Sequence, residues 1–129
     1  MNITGIIIEH NPFHNGHKYH IEKTKELTNP DILVAIMTGN YNQRGDLSII
    51  NKFEKTKIAL ENGIDLVIEL PYAYTMQNAY VYGEKAIRLL NELNTNYLVF
   101  GSETNNIEEL KQYADFVIED ISEVLQIDF

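Results

Sequence analysis

The 129-residue chain contains no cysteine, no tryptophan and only three prolines. Without cysteine, disulfide bonds and thiolate chemistry are excluded, and a reducing cytoplasm is the expected compartment. No apolar run approaches the roughly 18 residues that a membrane-spanning helix needs. The first nine residues lack a basic region and a small-residue cleavage site, so we expect a strand there and no signal peptide. These absences predict a cytoplasmic protein without a membrane segment.

Basic residues are scarce in the second half of the chain. Residues 1–60 carry seven Lys/Arg and six Asp/Glu, whereas residues 61–129 carry three and thirteen, and the net charge is -9. Such an acidic half repels a polyanion, so a nucleic acid substrate is expected to dock mostly on regions missing here. The hydrophobic content of 44% is that of a globular protein, and the length predicts one domain over residues 1–129.

Short apolar runs alternate with longer amphipathic stretches. The runs predict strands at residues 3–8, 32–37, 66–68 and 97–100. Apolar residues at helical spacing between them predict helices over Ile49, Phe53, Thr56 and Leu60, ended by Gly63, and over Tyr82, Ala86, Leu89, Leu90 and Leu93. A capping box of Asn106 and Glu109 predicts a further helix over Leu110, Tyr113 and Val117, and residues 125–129 are typical of a helix that is cut short.

This alternation is typical of an α/β domain. Right-handed crossovers predict a Rossmann-like, mainly parallel sheet with helices on both faces. Such sheets bind ligands at the carboxyl ends of their strands. The loops at residues 9–16, 38–46, 69–74 and 101–103 are therefore the places to look for a site.

All four histidines lie between residues 10 and 20, where the first buried strand gives way to a helix. Gly16 lets the backbone approach a ligand closely, and a helix N-terminus suits phosphate oxygens. Imidazoles of His14 and His17 are then placed to donate to the same phosphates and to stabilise charge in a transition state. We expect His14→Ala to weaken stabilisation by a nucleotide while barely changing the melting temperature of the free protein.

Three other interpretations of this segment remain open. His17 and His20 are one helical turn apart, as metal ligands often are, but no cysteine or evident carboxylate completes a set, so no metal site is expected. His10 and His20 are interpreted more simply as satisfied polar residues near the sheet edge. Asn15-Gly16 is also compatible with an ordinary turn.

Four segments in order resemble the tRNA(Met) cytidine acetate ligase family, and His14-Asn15-Gly16-His17 resembles the HxGH signature of the nucleotidyltransferase superfamily. The segments are residues 9–17, 39–45, 62–71 and 100–103, and the resemblance covers nearly the whole chain. It implies a two-step reaction. Acetate attacks the α-phosphate of ATP to give acetyl-adenylate, and the acetyl group then passes to N4 of the wobble cytidine of elongator tRNA(Met).

The resemblance also implies which residues bind ATP, with Mg2+ accompanying the triphosphate through phosphate oxygens and water. His14 and His17 are the implied catalytic residues, and Arg44 is a candidate contact for phosphate or tRNA. The implied ATP-binding residues are Ile7, Ile8, Glu9, His10, Asn11, Pro12, Phe13, His14, Asn15, Gly16, His17, Lys18, Tyr19, His20 and Gly101.

The sequence departs from the family in extent. Family members are considerably longer, and superfamily enzymes carry a second, Arg-ending signature that grips the phosphates from the opposite side. That signature does not occur before Phe129, so we expect the truncated N-terminal part of a longer enzyme. Two alternatives stay open: a small-molecule adenylyltransferase, and a noncatalytic ATP-binding remnant.

Overall fold

The structure, a computed structural model, describes residues 1–102 and 123–128. Each of the first three strands is followed by a helix, and the third strand is followed by two. In chain order they are β1 (Ile3–Ile8), α1 (Asn15–Thr28), β2 (Ile32–Thr38), α2 (Lys52–Glu61), β3 (Leu66–Leu70), α3 (Tyr72–Thr75), α4 (Ala79–Glu92), β4 (Tyr97–Ser102) and β5 (Glu123–Asp128). The helix predicted from Asn106 onward lies outside the described residues.

The five strands form one parallel sheet in the order β3-β2-β1-β4-β5. The order reverses direction between β1 and β4, as in the Rossmann arrangement, and crevices at such a reversal are where these sheets bind ligands. The predicted Rossmann-like α/β fold is thereby confirmed, and all four predicted strands are present.

Both faces of the sheet are covered, which is why its strands are apolar without alternation. In β2, Leu33, Ala35 and Met37 belong to a buried cluster on the face of α1 and α2. The intervening Val34 and Ile36 belong to a second cluster, with Ala86, Ile87 and Leu90 of α4 on the opposite face. The sheet therefore positions the ends of its strands rigidly between two packed layers.

Two predictions about local structure are wrong. Residues 123–128 form β5, parallel to β4, and not a truncated helix. The α2 helix exists, but it begins after its N-cap Asn51, so Ile49 precedes it. Its predicted apolar face points outward: Phe53 is 75% exposed and Leu60 45% exposed, whereas the buried residues of α2 are Lys55 and Ala59. Helical spacing identified the helix and missed the buried side.

None of the helices within residues 1–102 and 123–128 combines the length and apolar character needed to cross a bilayer.

Candidate functional site

The turn between β1 and α1 is organised by two histidines. His14 is the N-cap of α1, with an extended backbone, and its Nδ1 accepts the N–H of Gly16 at 3.0 Å. In return, His17 Nδ1 accepts the backbone N–H of His14 at 3.2 Å. The two imidazoles thus satisfy N–H groups at the helix start that would otherwise have no partner within the helix.

These bonds determine which ring nitrogen carries the proton. A neutral imidazole with an accepting Nδ1 has its hydrogen on Nε2. His14 and His17 therefore both keep an Nε2–H donor available for a ligand. Their rings are stacked, with centroids 3.8 Å apart at an interplanar angle of 20°, so the two donors belong to one rigid unit.

His10 lies behind this pair and is buried, only 1% exposed. Its ring centroid is 4.4 Å from that of His17 and 5.0 Å from that of Phe13. Burial, together with the neighbouring His17 and His20, lowers the pKa of His10 to about 3, and burial with the neighbouring His14 lowers the pKa of His17 to about 4. Both rings are therefore neutral at pH 7, as the hydrogen bonds of His17 require.

The interpretation of His10 as a satisfied polar residue is wrong. Neither of its ring nitrogens has a hydrogen-bond partner, and its backbone takes a left-handed φ of 50°. The cis peptide bond between Asn11 and Pro12 follows directly. His20 is also buried. Burial lowers the pKa of His20, and a hydrogen bond with the backbone of Val99 raises it by a smaller amount.

Gly16 lies inside the first turn of α1, and not before the helix as the sequence suggested. A Cβ at this position would come within 2.9 Å of Cε1 of the His14 ring. The glycine is therefore needed because the capping imidazole folds back over it.

A cavity of about 450 Å³, here called the first cavity, opens at the reversal of strand order between β1 and β4. Residues from both strands and from the start of α1 line it. The lining residues are Ile7, Ile8, Glu9, His14, Gly16, His17, His20 and Gly101. The first cavity thus brings together eight of the residues expected to bind a nucleotide.

A second cavity of about 470 Å³ is also lined by the two capping histidines. It shares Glu9, His14 and His17 with the first cavity. Its remaining lining residues are His10, Asn11, Pro12, Asn42, Gln43, Arg44 and Asp46. The exposed Arg44 lies here, next to the histidines, and does not line the first cavity.

Four of the predicted residues line neither cavity. Phe13 is half-buried and packs against the core under α1. Asn15, Lys18 and Tyr19 are exposed on α1. Their contact with a nucleotide stays a prediction.

Lys55 is the residue that sequence reasoning missed. It is 1% exposed, and its Nζ donates to the carbonyl oxygens of Glu9 at 3.1 Å and Thr38 at 3.0 Å. Burial lowers its pKa, while Glu9 and Glu69 act in the opposite direction. One ammonium group therefore ties the carboxyl ends of β1 and β2 together directly beneath the histidine turn.

We expect Lys55→Met to lower the free energy of unfolding by about 2 kcal/mol, because two buried carbonyls lose their donor while the chain volume is kept. Urea denaturation measures this. Lys57→Met, on the exposed side of the same helix, is the matched control and is expected to change stability by less than about 0.5 kcal/mol. A Lys55→Met protein more stable than the parent would show that desolvation of the ammonium outweighs its hydrogen bonds.

The strand order of the parallel sheet reverses at β1, and the HxGH turn lies at that point. Together these features define a nucleotidyltransferase-type domain. The chain belongs to the HIGH Nucleotidyl Transferase family, whose model matches residues 1–127.

Among curated relatives, the tRNA(Met) cytidine acetate ligase of Caldicellulosiruptor bescii is 50% identical over 114 residues, which is 88% of this chain and 28% of that protein. The protein of the same name from Caldicellulosiruptor saccharolyticus is 54% identical over the same shares. The chain therefore spans less than a third of the length of these relatives.

Solved structures agree with these relationships. Thermotoga maritima TmcAL bound with alpha-thio ATP is 42% identical, with a TM-score of 0.82 over 92% of this chain and 29% of that one. A pantoate-beta-alanine ligase from Francisella tularensis has a TM-score of 0.68 at 13% identity, over 98% of this chain and 59% of that one, and shows likeness of fold alone.

Proposed function

We propose that this chain is the N-terminal, ATP-binding part of a longer cytoplasmic ligase that acetylates N4 of the wobble cytidine of elongator tRNA(Met). Two relatives named for this activity are 50% and 54% identical to it, and each extends well beyond the matched region. In the first step, an acetate oxygen attacks the α-phosphorus of ATP and pyrophosphate leaves. In the second, cytidine N4 attacks the acetyl carbonyl and AMP leaves.

The observation that carries the proposal is that His14 and His17 both line the first cavity and both accept a backbone N–H at Nδ1, which leaves Nε2–H as the donor of each ring. Adenylation is a displacement at phosphorus, so the protein mainly positions the reactants and stabilises charge. His14 and His17 are oriented by their Nδ1 bonds and their rings are stacked. They would donate to phosphate oxygens without reorganising as charge develops, which is how preorganised donors accelerate such steps.

The rest of the nucleotide would lie along the segment from Ile7 to His20, with Gly101 of β4 facing it across the first cavity. A glycine there permits close approach of the ligand to the strand. Mg2+ would enter with the triphosphate, held by phosphate oxygens and water. Among the described residues that line the first cavity, Glu9 is the one carboxylate. A single carboxylate suits a metal ion that is bound mainly by the phosphates better than one that is bound mainly by protein ligands.

The experiment measures acetate-dependent exchange of pyrophosphate into ATP, and acetyl transfer to tRNA(Met), by the full-length enzyme and by this chain alone. We expect both reactions from the full-length enzyme, and ATP binding without turnover from the chain alone. Exchange that does not depend on acetate, or a dinucleotide product, would contradict the proposal and favour a small-molecule adenylyltransferase.

A further inference from the structure

The second cavity is preformed by a turn that the end of β1 holds in place. Asn42 Oδ1 accepts the backbone N–H groups of Arg44 and Asp46, both at 3.0 Å, and Gly45 closes the turn with φ 86°. Glu9 Oε1 accepts the N–H of Gln43 at 3.1 Å. The carboxylate of Glu9 therefore joins the turn at residues 42–46 to the wall shared by the two cavities.

Several polar groups of residues that line the second cavity form no hydrogen bond or ion pair in the part of the chain that the structure describes. Within the described residues, Glu9 Oε2 and the side chains of Arg44 and Asp46 have no hydrogen-bond or ion-pair partner. The second cavity thus presents two carboxylates with oxygens that are free to accept and one guanidinium, which offers five N–H donors. The side chain of Gln43 and the Nε2–H donors of His14 and His17 lie in the same lining.

A ligand of the second cavity must therefore offer both hydrogen-bond donors and hydrogen-bond acceptors. A free anion would use the donors of this cavity but would also meet the carboxylates of Glu9 and Asp46, so it is less favoured than a ligand that pairs with both. A ring that carries an amino group beside acceptor atoms fits both kinds of partner. Cytosine presents an N4 amino group, which carboxylates accept from, next to N3 and O2, which accept from guanidinium. Uracil presents a carbonyl oxygen where cytosine has the amino group, and that oxygen would face a carboxylate.

The position of the cavity also fits the reaction. Glu9, His14 and His17 line both cavities, so an acetyl group attached to the α-phosphate at these histidines would border the second cavity. An amine held there needs no further movement across the sheet to reach the acetyl carbonyl.

We propose that the second cavity binds the cytosine ring that is acetylated, with Glu9 accepting from N4 and Arg44 donating to the acceptor edge. This inference rests on the proposed function. As the N4 lone pair forms the C–N bond, the bond from the acetyl carbon to the AMP oxygen breaks and AMP leaves. The proton lost by N4 passes to the Glu9 carboxylate and then to solvent. A base is required because the N4 lone pair is delocalised into the ring and is a weak nucleophile.

The first test needs no substitution. Cytidine 5′-monophosphate and uridine 5′-monophosphate are compared as inhibitors of acetyl transfer by the full-length enzyme, competing against tRNA. We expect the inhibitory concentration of the cytidine nucleotide to be at least about tenfold lower than that of the uridine nucleotide. One well-placed base contact gives a discrimination of this size. Equal inhibition by the two nucleotides, or inhibition by neither, would overturn the inference.

The second test separates the two reaction steps. In Glu9→Gln and Arg44→Met enzymes, single-turnover acetyl transfer from preformed acetyl-adenylate is expected to fall at least tenfold further than acetate-dependent pyrophosphate exchange. Glu22→Gln makes the same charge change as Glu9→Gln on the exposed side of α1 and is expected to affect neither step.

Equal losses in the two steps, or unchanged transfer, would overturn the role of the second cavity while leaving the proposed function intact. Absence of acetate-dependent exchange in the parent enzyme would instead overturn the proposed function, and this inference with it.

Discussion

Replacing His14 by asparagine is expected to weaken ATP binding by this chain about ten- to hundredfold while α1 keeps its stability. Asparagine is a good N-cap, because its side-chain oxygen accepts the same kind of N–H bond that His14 Nδ1 accepts from Gly16. It does not replace the Nε2–H donor, and a hydrogen bond to a charged group contributes about 1.5–3 kcal/mol. Titration calorimetry with ATP and thermal unfolding of the free protein measure the two effects separately.

The alanine variant is the control that distinguishes ligand binding from capping. His14→Ala loses the donor and the cap together, so it should weaken ATP binding as asparagine does and also lower the stability of the free protein by about 1 kcal/mol. This revises the expectation drawn from the sequence, which placed no structural role on His14. Unchanged ATP affinity in His14→Asn would mean that the imidazole serves the helix alone.

The fold was predictable because continuous β-branched runs have few alternatives. A run such as residues 3–8 suits a strand covered on both faces, and alternation with helical stretches leaves mainly the parallel arrangement. The C-terminal strand was missed because Leu125 and Ile127 form too short a pattern to separate strand from helix. Its assignment depends on pairing with β4, which is a non-local contact that spacing along the sequence does not contain.

The error in α2 has a different physical origin. Phe53 and Leu60 suggested the buried face, yet both are exposed, and a lysine takes the interior position. Lys55 can be buried there only because two strand-end carbonyls converge on its Nζ, and a sequence gives no sign of such convergence. The strongest signal for a buried side of this helix would have been Ala59, a small residue one turn after Lys55.

The location of the site could be predicted from the sequence, but its hydrogen bonds could not. Four histidines within eleven residues at a strand–helix junction mark the place. The different roles of these histidines are visible only in the structure. His14 and His17 cap the helix through Nδ1 and keep Nε2–H as a donor. His10 is buried. The second cavity depends on the bond from Gln43 to Glu9, which joins residues 34 positions apart.

Mild acid is expected to destabilise the free protein strongly through His10 and His17. Their folded pKa values are about 3 and 4, below the 6.5 expected when unfolded. The unfolded state therefore binds more protons as the pH falls below 6.5, so the stability present above that pH is lost progressively. At pH 5, about 1.5 units below the unfolded pKa, the buried His10 alone costs about 2 kcal/mol. His17, which is partly exposed and therefore screened by solvent, and the buried His20, whose pKa is also lowered, add to this loss.

Urea denaturation at pH 7.5 and pH 5.0 measures the loss, and single variants assign it. His10→Asn removes one titrating group and tolerates the positive φ of that position, so the loss of stability between the two pH values should be about 2 kcal/mol smaller in this variant than in the parent. His17→Gln, whose side-chain oxygen can still accept the His14 N–H, should also reduce this loss. An undiminished difference in both variants would show that these imidazoles are not held neutral. The donor arrangement at the first cavity would then be wrong as well, because a protonated His17 cannot accept at Nδ1.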